Sequence, residues 1–503
     1  EYDKNGNKVR QIDVTGKLTG FDYDPMGQLL RLVDDGQELA AYTYNPDGTP
    51  RTVTHGPIRQ EYAYDLDKNL MGLTVRSGDT LLSQTSYAYD GNGNRIRKQA
   101  LDGTTLYQYD ALNQLQRVDY PAYSEELFYD KTGNRARRLV DGEEELYQYG
   151  PRNRLMALTR GGVTTPFQYD NAGNLLQDDK ARYSYDAFNR TVKVETFDGN
   201  VQVNRYDAEG LRHEMEENGR LVRFIFHKGE AVAEQEENSN VIRLIRGSEL
   251  IARSSDSESA RTYYHYASDE MGSTTHIVDE SGNVQNRYAY DAWGKIEVKE
   301  EAVPNRFTYY GQQIDPITQQ YYLRARFYNP VIGRFTQEDS YRGDGLNLYA
   351  YCANNPVYYI DPSGFYKDAI EAVIHHAKTI EIHGTAQNPV LNRRQALHLA
   401  QDMLGIPHSQ QPIRQWIVGG DIYKKGYGAK NYVFHPNETH HGRFYEYVTD
   451  KGLHVVVVEH TSDGTHHFHP GIPKTDTLTY DFMYENYRKV VDKNGEYHIY
   501  YGG

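Results

Sequence analysis

Along the first two hundred residues apolar and polar positions alternate in short runs, separated by clusters of Asp, Asn and Gly. Leu106-Tyr107-Gln108-Tyr109 is one such run and Arg95-Ile96-Arg97-Lys98 another. Alternation with a period of two predicts strands with one buried face. The intervening Asp90-Gly91-Asn92-Gly93-Asn94 supplies residues that accept positive φ, so strand, turn and strand read as a β-hairpin. From Tyr366 onward the periodicity becomes helical. Ala369, Ala372, Val373 and Ala377 share one face of a short predicted helix, and a second is predicted from Arg393 to Leu404. Asn392 would cap that second helix, and Gly405 with Pro407 beyond would end it. Strands are predicted at Asn431 to Phe434, Arg443 to Val448 and Leu453 to Glu459, the last two joined by a turn at Asp450-Lys451-Gly452. The expected fold class is mainly β, followed by a small α+β C-terminal domain of about 138 residues.

The hairpins repeat. Aromatic-x-Tyr-Asp occurs as Phe21-Asp22-Tyr23-Asp24, Tyr62-Ala63-Tyr64-Asp65, Tyr87-Ala88-Tyr89-Asp90, Tyr107-Gln108-Tyr109-Asp110, Phe167-Gln168-Tyr169-Asp170 and Tyr183-Ser184-Tyr185-Asp186. Marker tyrosines at 23, 44, 64, 89, 109, 129, 149, 169, 185 and 206 give a period of roughly 20 residues, in the range of stacked arrays. One hairpin is marginal alone, so consecutive hairpins are expected to pair into a long sheet that buries one face. Composition agrees: 46 Tyr against 15 Phe and 2 Trp suits half-buried pleated surfaces, and 44 Gly suit tight turns. A polar β-solenoid with no enclosed space is the alternative geometry for the same pattern.

This grammar resembles the YD-repeat family, which includes the Rhs proteins, the wall-associated toxins, the C subunits of insecticidal toxin complexes and the teneurins. The resemblance covers roughly residues 1–365. It implies a spiralling YD-repeat β-hairpin sheet closed into a shell, here over residues 1–300, that encloses the toxin following it.

Between residues 301 and 365 the pattern changes to Arg306-Phe307-Thr308-Tyr309-Tyr310-Gly311-Gln312, Tyr321-Tyr322-Leu323-Arg324-Ala325-Arg326-Phe327-Tyr328-Asn329-Pro330, Ile332-Gly333-Arg334-Phe335-Thr336-Gln337-Glu338-Asp339, Asn354-Asn355-Pro356 and Asp361-Pro362-Ser363-Gly364. This block resembles the core that ends the repeat region of Rhs proteins. In those relatives it is an aspartyl-protease-like site that cuts just after the final Asp-Pro-x-Gly. Such chemistry needs two adjacent carboxylates, one ionised and one protonated. The resemblance implies Asp339 and Asp361 as that pair, with the cut near Gly364, Phe365 or Tyr366. One departure is Ser340, where the family's first aspartate is followed by proline.

Charge and histidine mark residues 366–503 as a separate domain. They hold 14 Lys+Arg and 15 Asp+Glu, a net −1, whereas the rest carries −14; they also hold 14 of the 19 histidines. An acidic surface disfavours nucleic acid on the repeats. The tail concentrates His440-His441-Gly442-Arg443, Glu459-His460 and His466-His467-Phe468-His469. Imidazole and carboxylate are ligands for Zn, Mn, Ni or, for the carboxylate, Mg. Lys424, Lys425, Lys430, Arg443 and Lys474 would position a phosphate backbone. Glu-His at a strand end followed by further histidines resembles the HNH/endonuclease VII superfamily in its Glu-His-His-His variant. That resemblance implies a divalent metal ion held by Glu459 and His469, His460 as general base, and His466 or His467 as a third ligand or phosphate contact. His441 is a further candidate catalytic group.

A single cysteine, Cys352, excludes an internal disulfide and a cysteine-based zinc cluster. No run approaches the roughly 18 to 20 apolar residues of a membrane span. The chain opens inside a repeat, so it is expected to be the C-terminal portion of a longer secreted or cell-surface protein whose export signal lies upstream. Three readings follow: a toxin for interbacterial competition that releases a metal-dependent nuclease acting on nucleic acid, a toxin of other chemistry such as a ribonuclease or deaminase, and a teneurin-like adhesion protein. A toxin implies a cognate immunity protein, a secretion machinery and delivery of the tail into a target cell.

Overall fold

The computed structural model describes residues 1–365, apart from 5, 238, 257–260 and 341–346. Beyond 365 it describes 368–369, 391–392, 397, 400–401, 412, 414–419, 432–434, 442–448, 454–462, 465–473, 487–489 and 499–502. Two compact units divide the chain, 1–377 and 378–503.

In the first unit, sixteen described strands from Arg10–Ile12 to Val163–Pro166 form one sheet, and fourteen from Gln168–Tyr169 to Ile296–Glu301 form a second. Both follow chain order, so every strand pairs with its sequence neighbours. The repeat motif explains why. Asp110 Oδ1 accepts bonds from the backbone N–H of Leu112 and Gln114 at 2.8 and 2.9 Å, closing the turn. Asn113 meets the demand for positive φ there, as Gly93 does one repeat earlier. The marker tyrosine ties each repeat to the one before it. Tyr109 Oη donates to the Arg95 carbonyl at 2.7 Å, Tyr129 to Leu115 at 2.7 Å and Tyr149 to Arg135 at 2.9 Å. Each bond contributes about 1 kcal/mol. At the same tyrosines the pairing register shifts, between Ala88 and Tyr89, Gln108 and Tyr109, Phe128 and Tyr129, and Gln148 and Tyr149. A bulge sharpens the local right-handed twist, and one per repeat makes the sheet coil.

The inner faces meet through mixed cores. Phe21, Leu32, Tyr42 and Val53 pack with Ile245, Ile251 and Tyr263, while Tyr107, Leu115, Val118 and Leu127 pack with Trp293 and Val357. Buried ion pairs cross the same faces. Arg243 donates to both oxygens of Asp34 at 2.6 and 2.8 Å, and Glu270 takes Arg95 and Lys98 at 2.5 and 3.0 Å. Arg212 reaches Asp315 at 2.7 Å. A buried arginine left without such a partner costs several kcal/mol, so these pairs fix which repeats face one another.

After Glu301 a small antiparallel sheet forms from Gln313–Ile314, Tyr321–Leu323, Arg326–Asn329 and Arg334–Phe335. Tyr309, Tyr321, Tyr328, Phe335 and Tyr351 make its core, with Tyr328 stacked on Tyr351 at 3.8 Å between ring centroids. The repeats run further than the markers ending at Tyr206: Tyr288-Ala289-Tyr290-Asp291 carries the full motif, and Tyr290 Oη donates to Thr274 O at 2.7 Å.

The helix expected over 369–377 is corrected at its first residue. Asp368–Ala369 is a strand paired with Tyr359–Ile360, because main-chain bonds to an available edge override a weak local helical pattern. Residues 370–377 of that helix lie outside the described residues. For the second predicted helix, 397 and 400–401 are helical. In the tail, Arg414–Gly419, Tyr432–Phe434, Gly442–Val448, His454–Ser462 and Thr465–Pro473 belong to one sheet, within a residue or two of the predicted starts where strands were predicted. No helix among the described residues is long and apolar enough to cross a membrane.

Candidate functional site

The strands Tyr321–Leu323 and Arg326–Asn329 are joined through a tight turn in which Arg324 has φ 62°. Along this turn lies the segment 362–364, held one carbonyl at a time. Arg324 Nη1 donates to Pro362 O at 2.6 Å, the Ala325 N–H to Ser363 O at 3.2 Å, and Arg326 Nε to Gly364 O. Gly364 has φ +75°, and a Cβ there would stand 2.4 Å from Leu323 O and 2.9 Å from Arg326 N. Only glycine seats this strap. Phe365, next in the chain, is 41% exposed.

Asp339 and Asp361 come together here. They are 5% and 4% exposed, and the Oδ2 of each lies on the same guanidinium nitrogen, Arg326 Nη2, at 2.8 and 3.6 Å. Asp361 Oδ1 accepts the Gly364 N–H at 2.7 Å and the Ser363 N–H at 3.2 Å, which folds the strap back over its own aspartate. The Asp339 N–H donates to Leu348 O at 3.0 Å, and Arg326 Nη1 donates to the same carbonyl at 3.1 Å. The Arg326 guanidinium also stacks over Phe335, 3.6 Å from the ring centroid. One cation between two buried carboxylates offsets the repulsion that would otherwise part them. Ser340, which replaces the usual proline, is exposed.

Chemically, the site offers two carboxylates for proton transfer and a fixed positive charge beside a backbone carbonyl. Of the junction residues singled out from the sequence, Asp339, Asp361, Gly364 and Phe365 fall at this one place. Tyr366 lies outside the described residues. Arg326 was not singled out, although a signal existed: two arginines, Arg324 and Arg326, stand among aromatics in a block that must be buried, and buried arginines require oxygen partners.

In the tail, the pairing register positions the histidine-bearing backbone. Glu459 stands opposite Arg443 on one neighbouring strand and Phe468 on the other. His460 stands opposite Gly442 and His467, and His469 opposite Val458. Alternation places positions 460, 467 and 469 on one face and positions 443, 459 and 466 on the other. Glu446, buried at 4%, pairs with Val456 and so shares the face of 460, 467 and 469. The side chains of Arg443, Glu459, His460, His466, His467 and His469 lie outside the described ones, and His441 and Lys430 lie outside the described residues altogether.

Comparison with known proteins places this architecture. The Teneurin YD-shell family model matches residues 101–357. A tRNA3(Ser)-specific nuclease WapA of Bacillus spizizenii is 34% identical over 205 residues, which is 38% of this chain and 9% of that protein. A double-stranded DNA deaminase toxin A of Burkholderia cenocepacia is 30% identical over 202 residues, 37% of this chain and 14% of that protein. The chain thus spans a small part of the relatives it matches, and the aligned stretch is the repeat shell. Among solved structures, the crystal structure of TcdB2-TccC3-TEV covers 73% of this chain and 21% of its own at 19% identity, with a TM-score of 0.58, so the two share a fold.

Proposed function

This chain belongs to the teneurin YD-shell family, and from that premise we propose that it is a toxin effector for interbacterial competition, whose repeats carry a C-terminal enzymatic domain and release it by self-cleavage. The observation that carries the proposal is the pair Asp339 and Asp361, bridged by Arg326 and folded onto the Asp361–Gly364 strap. In the reaction, one carboxylate takes a proton from water. The water oxygen attacks the carbonyl carbon of a peptide bond between Gly364 and Tyr366. The other carboxylate protonates the departing nitrogen, and the C–N bond breaks to leave a new C-terminal carboxylate and a new amine. Arg326 holds Gly364 O and keeps the strap in register.

For residues 366–503 we propose a metal-dependent nuclease of the HNH type. Histidines suit a borderline divalent ion, and positions 460, 467 and 469 share a face by register. His467 and His469 would hold the ion. The strand expected to end at Glu459 runs on to Ser462 and is paired on both sides at 459, so Glu459, on the opposite face by register, stands apart from that set. A bound ion would polarise a phosphate and stabilise a developing alkoxide. His460 takes the proton of the attacking water. Lys430 would contact the phosphate backbone and His441 would assist proton transfer, whereas positions 443 and 466, expected to hold phosphate, fall on the face opposite the ion by register.

One relative is a tRNA3(Ser)-specific nuclease and another a double-stranded DNA deaminase toxin, which favours an enzymatic tail and keeps deamination as the second reading. A toxin of this kind would leave the producing cell through a secretion machinery, act inside a target cell and be neutralised at home by a cognate immunity protein. Incubating the chain and its C-terminal product with plasmid DNA and total tRNA, with Mg, Mn, Ni or Zn and then with EDTA, tests the nuclease. Cleavage lost with EDTA and with His460→Ala is expected. Base conversion without strand breaks points to the deaminase, and no change in either nucleic acid sinks the nuclease reading.

A further inference from the structure

The two aspartates reach one another from segments that are anchored separately, and the anchors are the turns of the repeats. In several of the repeat turns the fourth residue after the motif aspartate carries an amide. Asn94, Gln114, Asn134 and Asn174 donate that amide N–H to Asp90, Asp110, Asp130 and Asp170 at 2.8 to 3.0 Å. This bond fixes the amide's orientation and leaves its oxygen to accept from elsewhere. The junction block supplies the donors in order. Asn355 Nδ2 donates to Asn94 Oδ1 at 3.2 Å, Asn354 Nδ2 to Gln114 Oε1 at 2.9 Å, and Asn347 Nδ2 to Asn134 Oδ1 at 2.8 Å. Further along, Tyr349 Oη and the Glu338 N–H both donate to Gly173 O, at 2.8 and 3.2 Å, and Gln337 Nε2 donates to Thr191 Oγ1 at 3.0 Å.

These contacts partition between the carboxylates. Asp339 follows Gln337 and Glu338 and is bonded to Leu348, which sits between Asn347 and Tyr349. Its anchors are therefore the turns at 134, 173 and 191. Asp361 follows the short strand Tyr359–Ile360, whose Tyr359 N–H donates to Asn355 O at 3.0 Å, so its anchors are the turns at 94 and 114, and one contact is shared, because Asn354 Nδ2 also donates to Gly133 O at 2.7 Å on the turn that holds Asn347. The two meet at Arg326 only when repeats up to about 100 residues apart, from the turn at 94 to that at 191, are stacked in register.

Resting on the self-cleavage reading, we propose that the turn amides of Asn94, Gln114 and Asn134 are positioning residues for that reaction, so that the chain cuts itself only on an assembled stack of repeats. The amides touch neither carboxylate. They act by holding the two aspartate-bearing segments against successive turns, and a chain whose repeats are unfinished or out of register keeps its tail attached.

The test is the first-order rate of self-cleavage of the full chain, made by cell-free synthesis with a pulse of label and followed on a denaturing gel. Gln114→Ala with Asn134→Ala is expected to slow cleavage at least tenfold. The control is Asn69→Ala. Its amide makes the same bond, to Asp65 at 2.9 Å, and among the described residues no junction side chain bonds it. It is expected to cut within twofold of wild type while lowering the melting temperature. Asn134→Asp separates positioning from stability. The carboxylate keeps an acceptor for Asn347 but loses the donated bonds to Asp130 and Asn153, so it should cut faster than Asn134→Ala although it is the less stable chain. Asn347→Ala leaves every repeat intact and should slow cleavage as the repeat-side variants do, so the inference stays testable if those fail to fold. If Asn347→Ala or the Gln114/Asn134 pair cuts at the rate of Asn69→Ala, the inference is overturned while self-cleavage stands. A wild-type chain that stays whole overturns both.

Discussion

Gly364→Ala probes the seat of the strap most sharply. At φ +75° an alanine pays about 1–2 kcal/mol for the left-handed backbone alone. Its Cβ would also stand 2.4 Å from Leu323 O and 2.9 Å from Arg326 N, both main-chain atoms of a paired hairpin that cannot swing aside. The strap must therefore lift. Lifting breaks the Ala325 N–H to Ser363 O bond and the Gly364 N–H to Asp361 bond, at about 1 kcal/mol for the first and about 1.5–3 for the second. Lifting therefore costs about 2.5–4 kcal/mol, while staying seated keeps the left-handed backbone and the overlap, so the productively seated population falls by about two to three orders of magnitude at 1.4 kcal/mol per tenfold. Self-cleavage of pulse-labelled chain should slow by at least about a hundredfold, the remainder being partial relaxation of the turn. The melting transition of the repeats should hardly move, because the strap supplies few of the sheet's bonds. A Gly364→Ala chain that cuts within threefold of wild type would refute the claim that this strap, in this seat, is the substrate.

Other outcomes follow from the shell. Glu270→Ala leaves the buried Arg95 guanidinium and the half-buried Lys98 ammonium without their carboxylate, and a loss of about 3–5 kcal/mol is expected in urea unfolding; a loss below about 1 would refute the pairing as drawn. Burial holds His55 down at about 3 and His265 at about 4, so the folded chain refuses protons that the unfolded chain takes near 6.5. Stability is then present above about pH 6.5 and lost as pH falls toward 4, and His55→Gln should flatten that loss by about 2 kcal/mol in urea midpoints taken at pH 6.5 and 4.5. Glu249 works in the opposite sense. Burial pushes it up to about 7, so its proton is held on folding and stability falls as pH rises from about 4.5 to about 7; Glu249→Gln should remove that slope. Tyr109→Phe deletes one inter-repeat bond to Arg95 O and should cost about 1 kcal/mol, read from the same unfolding curves.

The repeats were legible because their turn chemistry is local. Asp, Gly and Asn at fixed offsets announce the hairpin whatever surrounds it, and the marker tyrosine needs only the preceding repeat's carbonyl. The junction aspartates were legible through resemblance, since nothing in the spacing of Asp339 and Asp361 shows that they meet. Arg326 escaped notice because its role comes from three segments, at 339, 348 and 361, that only the fold brings around it. The amides at 94, 114 and 134 read as ordinary turn residues, and their oxygens gain a second use only against Asn355, Asn354 and Asn347, more than two hundred residues away in the chain. In the tail, three strands were legible while Arg414–Gly419 and Thr465–Pro473 were not predicted, and the pattern within each strand could not reveal cross-strand register, which sets positions 460, 467 and 469 together and 459 apart.

The most direct measurement of the central claim is the intact mass and N-terminal sequence of the purified chain beside its Asp361→Asn variant. Two fragments from wild type, the second beginning at residue 365 or 366, and a single uncut chain from Asp361→Asn are expected. Two uncut chains, or two chains cut alike, would contradict the account.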